Sequence, residues 1–254
     1  MFMCNSSTSS YFRNRRTVRN FQDRKVSADL LNMILDESMH APTTGNMQLY
    51  SVVVTCEENR RKELAKFHFN QPASVSAPVL LTVCADFNRF AKWCRVSGVN
   101  HEFNNLQGLM MGLMDALIYA QQIVTISELN GLSTCYLGTT IYNAPEISQL
   151  LSLPAGVIPV VTVALGYATE MPDDSGRLPL EAIISEESYR NFTDEEVADL
   201  YAEKEAREDS RKFVAENNKK SLAQVFTDVR YPGSVLEPFS AKLHDYLTEQ
   251  GFII

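Results

Sequence analysis

The sequence predicts a protein of helices and strands in which a central sheet is covered on both faces. Two observations predict it. The runs Tyr50 to Thr55, Val79 to Ala85 and Ile158 to Leu165 are β-branched or apolar with little alternation, as strands buried on both sides are. The segments between them carry apolar residues at helical spacing, which supplies the covering layers.

Each element follows in order. Ser27 precedes Leu30, Leu31, Ile34 and Leu35 and reads as the N-cap of an amphipathic helix running to about His40. Ala41 to Asn46 is loop chemistry. Tyr50 to Thr55 is the first strand, and Glu57 to Phe67 reads as helix. Pro78 introduces the second strand. Asn104 to Glu128 is expected to form a long helix whose apolar residues (Leu106, Met110, Leu113, Met114, Leu117, Ile118, Ile123) surround most of its girth, so it should be central and buried. Asn130-Gly131 ends it. Ser133 to Leu137 is a candidate short strand. Pro145 sits in the first turn of a helix over Ala144 to Leu151, and Gly166 closes the third strand. Thr169 to Pro179 is a polar loop. From Asp194 to Lys220, 15 of 27 residues are charged, with Val197, Leu200 and Tyr201 at helical spacing. That stretch is an exposed helix, a linker or an interaction arm. Ala241 to Leu247 is the final helix. The expected organisation is a core over residues 1–190 and a helical C-terminal extension over residues 191–254.

Composition excludes several function classes. At 254 residues the chain buries a sizeable core without a disulfide or metal staple. With 45% hydrophobic and 21% charged residues it is globular, not disordered. Lys plus Arg is 23 and Asp plus Glu is 31, so the net charge is 23 − 31 = −8. That argues against nonspecific binding to nucleic acid or an anionic membrane. No uninterrupted apolar run approaches the ~20 residues of a membrane helix. Met1 to Ser10 lacks the apolar core of a signal peptide. The five cysteines include no CxxC pair, and His40, His68, His101 and His244 are isolated, so no metal site is expected. Each histidine is expected on the surface or with its hydrogen bonds satisfied. Cytoplasmic localisation with reduced thiols follows.

Three segments could carry chemistry. Arg15-Arg16-Thr17-Val18-Arg19-Asn20-Phe21 places three guanidiniums and a hydroxyl within five residues, and guanidinium forks suit phosphate. Taken alone, such a stretch is more often a solvated basic face. Pro42 to Gln48 offers hydroxyls, a glycine and amides suited to a flat heterocycle, although an ordinary helix–strand connector has the same composition. Gly131 to Thr139 sets glycines around a short apolar strand, with backbone N–H groups near Gly138 able to face a ligand; a turn and an edge strand would look alike. Cys135 has no histidine near in sequence and reads as a buried structural thiol. Met110, Met111 and Met114 read as core or subunit interface. No GxGxxG, Walker loop, GxSxG or HExxH occurs.

In order and spacing, these segments resemble the nitroreductase family of FMN-dependent oxidoreductases, nearest the NADPH-dependent major nitroreductase and flavin reductase P subgroup. The resemblance runs through Arg15 to Phe21, Thr43/Thr44, Gln71, Ala85-Asp86-Phe87-Asn88-Arg89, Tyr136-Leu137-Gly138, Gly166-Tyr167, Gly176-Arg177-Leu178-Pro179 and Leu243 to Leu247. It implies an α+β fold, with a central mixed, mainly antiparallel sheet flanked by helices, in an intertwined homodimer. It implies an FMN site in which Arg15, Arg16, Thr17 and Arg19 meet phosphate and ribityl, and Arg177 approaches the phosphate from another loop. Thr43, Gly45, Asn46 and Gln48 would line the isoalloxazine from across the dimer interface. Gln71 would contact the ring, and Leu137, Gly138 and Thr139 would place backbone groups beside it. Arg211, Lys219 and Lys220 are candidates for the nicotinamide nucleotide.

Three positions depart from the family pattern. Ser175 stands where a Lys is usual, Thr139 replaces a second Gly, and Arg211 to Lys220 differs from the basic nucleotide motif. The implied reaction is NADPH- or NADH-dependent, ping-pong hydride transfer through FMN to small-molecule acceptors (nitroaromatics, quinones or free flavin), with the flavin rather than a protein side chain as the catalytic group. The alternatives are a different acceptor such as an enone, or a flavin-binding regulatory module with little turnover.

Overall fold

The structure, a computed structural model, describes residues 6–254. Cys4 and residues 1–5 of the Ser-rich N-terminus lie outside them. Contacts divide the chain into two compact units, residues 1–172 with 239–254, and residues 173–238. The expectation drew one break at 190/191 and kept the last helix with the extension. The observed division starts earlier and returns residues 239–254 to the first unit.

In the first unit the elements are α1 (Ser6–Asn14), α2 (Ala28–Ser38), β1 (Tyr50–Thr55), α3 (Glu58–Phe67), α4 (Pro72–Ser76), β2 (Val79–Asp86), α5 (Phe87–Val96), α6 (Leu106–Leu129), β3 (Ser133–Leu137), α7 (Ala144–Leu151) and β4 (Val157–Gly166). The strand order is β1-β2-β4-β3 and all three pairings are antiparallel. The mixed sheet expected from the resemblance therefore has no parallel strand pair among the described residues; the parallel pairing is an isolated bridge, Asn105 with Ile253.

The two central strands are buried along their whole length. Val79, Leu81, Val83 and Ala85 enter one core with α6, while Leu80 enters a second core on the opposite face. That is the period-2 alternation of a strand whose two faces are both covered. Each fully buried leucine contributes roughly 1.5–3 kcal/mol of transfer free energy. Pro159 lies in the central strand β4, where it cannot donate to a ladder. The register shifts there, from Val83 opposite Val161 to Cys84 opposite Pro159, so the proline occupies a bulge.

Helix ends follow local chemistry. Ser27 Oγ accepts from Leu30 N and caps α2. Glu57 caps α3 through Asn59 N and Arg60 N. Asn105 caps α6 through Gly108 N. Asp86 accepts from Arg89 N and starts α5, a helix the sequence reading left out. Helix α6 buries Leu109, Gly112, Ala116, Tyr119, Ala120, Ile123 and Val124. Gly112 is required there, because a Cβ would strike the Phe87 ring. The expectation of a helix buried around its girth is corrected: Leu106, Met110, Met114, Leu117 and Ile118 are exposed on this chain. By length and composition alone α6 could cross a membrane, yet half of its apolar window is buried inside the protein.

The second unit holds α8 (Asp194–Ala206), α9 (Glu208–Glu216), α10 (Leu222–Val225) and the first residues of α11 (Gly233–Glu249), in which Pro238 stands at the division. Thr193 and Glu196 form a reciprocal capping box at the start of α8. Arg207 bonds Asp209 and the Asp174 carbonyl. The charged stretch Asp194 to Lys220 is thus mostly helix, laced with surface ion pairs.

Candidate functional site

The basic segment runs beside edge strand β3. Val18 N donates to Thr134 O at 3.1 Å, and Val18 is buried while Arg19 is exposed. The Arg19 side chain makes no hydrogen bond or ion pair among the described residues. Arg15 is differently placed. Its Nε lies 3.2 Å from Glu128 Oε2, and its Nη1 donates to Thr17 Oγ1 at 3.4 Å. Arg16 donates to the Arg13 and Arg15 carbonyls. Glu128 sits in the last turn of α6, where the helix dipole disfavours an acid. It is held by Arg15, by Tyr11 Oη at 2.8 Å and by Thr134 Oγ1 at 2.5 Å. A cavity of about 360 Å³ beside it is lined by Tyr11, Asn14, Arg15, Arg16, Glu128 and Ser133, among others.

The end of β3 completes this edge. Leu137 is buried, Gly138 is exposed, and a Cβ built on Gly138 would meet nothing within 4 Å. Open space therefore borders the backbone. Thr139 Oγ1 lies 2.9 Å from His68 Nδ1. His68 contradicts the expectation for the histidines. It is fully buried, its Nε2 has no partner, and burial pushes its pKa down to about 4. Gln71 N donates to the His68 carbonyl at 3.1 Å, and Gln71 caps the start of α4. Cys135 is buried and burial pushes its thiol pKa up, in keeping with a structural thiol.

The heterocycle-like loop lies at the opposite edge. Thr44 N and Leu49 N donate to Asp115 Oδ1 and Oδ2 at 2.8 and 3.1 Å, so a buried carboxylate in the middle of α6 pins both ends of the loop. Between them, Gly45, Asn46 and Gln48 all have positive φ (55°, 56° and 55°). Arg89 ties the Gln48 and Tyr50 carbonyls. The loop leads into β1, whereas Arg15 to Arg19 and Leu137 to Thr139 flank β3. With β2 and β4 between, the edges stand about 14 Å apart at ~4.8 Å per strand. One chain therefore does not bring the two halves of the expected site together.

Arg177 belongs to the second unit, where it donates to Ser175 Oγ at 3.2 Å and to the Gly176 carbonyl at 2.6 Å. In that unit Lys219 Nζ pairs with Asp228 Oδ2 at 3.0 Å, and Arg211 and Lys220 are exposed. Sequence reading passed over Asp115, Glu128 and, as a partner of Thr139, His68. An acid inside an otherwise apolar helix was the available signal for the first two.

The Nitroreductase family profile matches residues 12–167. The chain belongs to the nitroreductase family. An FMN reductase [NAD(P)H] of Bacillus subtilis strain 168 is 30% identical over 182 residues, 69% of this chain and 72% of the relative. A Cr(VI) reductase of Pseudomonas sp. strain G-1 is 25% identical over 94% of this chain and 96% of its own length. A crystal structure from Bacteroides fragilis NCTC 9343 superposes with a TM-score of 0.94 at 45% identity, over 96% of this chain and all of that one. The matched span contains both edge segments of this nitroreductase-family chain and the whole sheet. Arg177 and the charged helices lie beyond it.

Proposed function

We propose that the protein is an NAD(P)H-dependent FMN oxidoreductase, reducing nitroaromatics, quinones or free flavin, and that it works as a cytoplasmic homodimer. The observation that carries the reading is the β3 edge. Guanidiniums for a phosphate and a bare backbone for a flat ring share one strand edge, with open space beside Gly138. The donor set fits FMN: Arg16, Thr17 and Arg19 toward phosphate and ribityl, and Gln71, Leu137, Gly138 and Thr139 toward the ring. Arg177 is proposed to add a further phosphate contact. Arg15 is held by Glu128, so its charge is partly compensated and Arg19 is the stronger phosphate candidate.

The two-edge geometry favours the dimer. Thr43, Gly45, Asn46 and Gln48 reach the β3 edge only from a second copy, and the exposed apolar stripe of α6 is the surface on which that copy would pack. Bound there, FMN supplies the acceptance of hydride from a nicotinamide nucleotide and its delivery to the acceptor. The protein's part is positioning and charge. Exposed Arg19 offers an unpaired cation to the phosphate. The loop pinned by Asp115 excludes water from one ring face. Neither substrate requires a side-chain acid or base. Arg211, Lys219 and Lys220 are the proposed contacts for the nicotinamide nucleotide, although the Lys219–Asp228 pair would have to open.

A yellow purified protein that bleaches with NADPH and recolours with an acceptor such as a quinone is the expected result. A yellow protein that never bleaches would leave a flavin-binding module, and a colourless one that takes up no FMN would overturn the reading.

A further inference from the structure

The chain carries a buried histidine that the reaction does not use and that holds two of the proposed ring contacts. His68 caps the C-terminal end of α3. The next two residues, Phe69 and Asn70, have φ of 56° and 50°, a left-handed pair that costs non-glycine residues energy and turns the chain sharply into α4. Through that turn the His68 carbonyl receives Gln71 N, and its ring meets Thr139 Oγ1. Gln71 and Thr139 therefore hang on one residue, from its backbone and from its side chain.

The state of the ring follows from its surroundings. His68 is 0% exposed and Nε2 has no hydrogen-bond partner. Burial holds the imidazole neutral at physiological pH, so it carries one proton. On Nε2 that proton would be a buried donor with no acceptor, an arrangement native proteins rarely contain. On Nδ1 it has Thr139 Oγ1 at 2.9 Å, and only a lone pair goes unmatched. The Nδ1–H tautomer is favoured on that ground. A hydroxyl that accepts from His68 keeps its own proton for another partner. Thr139 makes no other side-chain hydrogen bond among the described residues. It is half-exposed and directly follows Gly138, with its open space.

We propose that His68 is a positioning residue for the flavin ring: its Nδ1–H fixes Thr139 Oγ1 as an acceptor, so that the Thr139 hydroxyl donates to an acceptor atom of the ring. This rests on the FMN reading above and assigns a side-chain role to a position where only backbone contact was expected.

Two measurements test it. Nitrogen-15 NMR of histidine-labelled wild-type protein should show His68 protonated on Nδ1 and bare on Nε2. Fluorescence titrations of FMN and of riboflavin should then be run on wild type, Thr139→Val, Thr139→Ser and His68→Ala. Loss of one neutral hydrogen bond should weaken both flavins alike in Thr139→Val, about two- to tenfold, because they share the ring. The absorption band of the bound flavin should shift as well. Thr139→Ser should bind as wild type does. His68→Ala should add little to Thr139→Val in the double variant, since His68 acts only through the Thr139 hydroxyl that the valine has already removed. A proton on Nε2, or unchanged flavin affinity and spectrum in Thr139→Val, would overturn the His68–Thr139 role while leaving the FMN site standing. Wild-type protein that binds neither flavin would overturn the FMN reading, and this role with it.

Discussion

Single side chains divide the proposed phosphate site by their partners. Arg19 is exposed and unpaired, while Arg15 is held by Glu128. Arg19→Ala should weaken FMN about tenfold to hundredfold, from the loss of charge-assisted bonds of roughly 1.5–3 kcal/mol, and should leave riboflavin nearly unchanged. Flavin fluorescence titrations measure both, and parallel losses would return Arg19 to an ordinary surface charge. Its removal should barely affect folding, because exposed charges contribute little.

His68 makes the opposite prediction, on stability. Its unfolded pKa is about 6.5, and burial holds the folded value at about 4. The folded pKa is the lower, so the stabilisation is complete above about pH 6.5 and is lost as pH falls toward 4, on the order of 2–3 kcal/mol. Urea midpoints of wild type should fall more between pH 7 and 4 than those of His68→Asn. Equal slopes would show that the imidazole titrates normally in the fold.

At the scale of elements, α6 both fills the core and organises the β1-side loop. Asp115 interrupts an apolar helix because Thr44 N and Leu49 N need an acceptor that the sheet does not supply. Asp115→Ala should cost about 2–3 kcal/mol in urea unfolding by stranding two amides, and Asp115→Asn should recover part of it. Identical unfolding of the alanine variant and wild type would mean the loop holds itself. Most elements were legible in the sequence. Tyr50 to Thr55, Ser133 to Leu137 and Ala144 to Leu151 have the expected bounds. Two of the omissions share a cause: α5 begins without a break from the strand before it, and α4 is a short turn set by Pro72, so neither has a long apolar period to read.

At the scale of the whole molecule, the exposed stripe Leu106, Met110, Met114, Leu117 and Ile118 and the separation of the two edge segments point to the same assembly. Sedimentation should give a dimer. Met114→Glu, a charge in the middle of the stripe, should yield a folded monomer that loses FMN. A monomer that keeps FMN would show that one chain holds a complete site.

The sequence by itself determined the strands, the capped helices, the basic segment and, through the order of its motifs, the family. These rest on local chemistry: side-chain period, capping residues, glycine and proline. Tertiary structure alone decided which partners those residues meet. It set Glu128 against Arg15, Asp115 against Thr44 N and Leu49 N, and His68 against Thr139, pairs separated by 113, by 71 and 66, and by 71 positions along the chain. No local pattern encodes such pairs, because the strand order β1-β2-β4-β3 and the docking of α6 create them. The same topology put the two halves of the expected site on opposite edges of the sheet, the separation on which the proposed dimer rests.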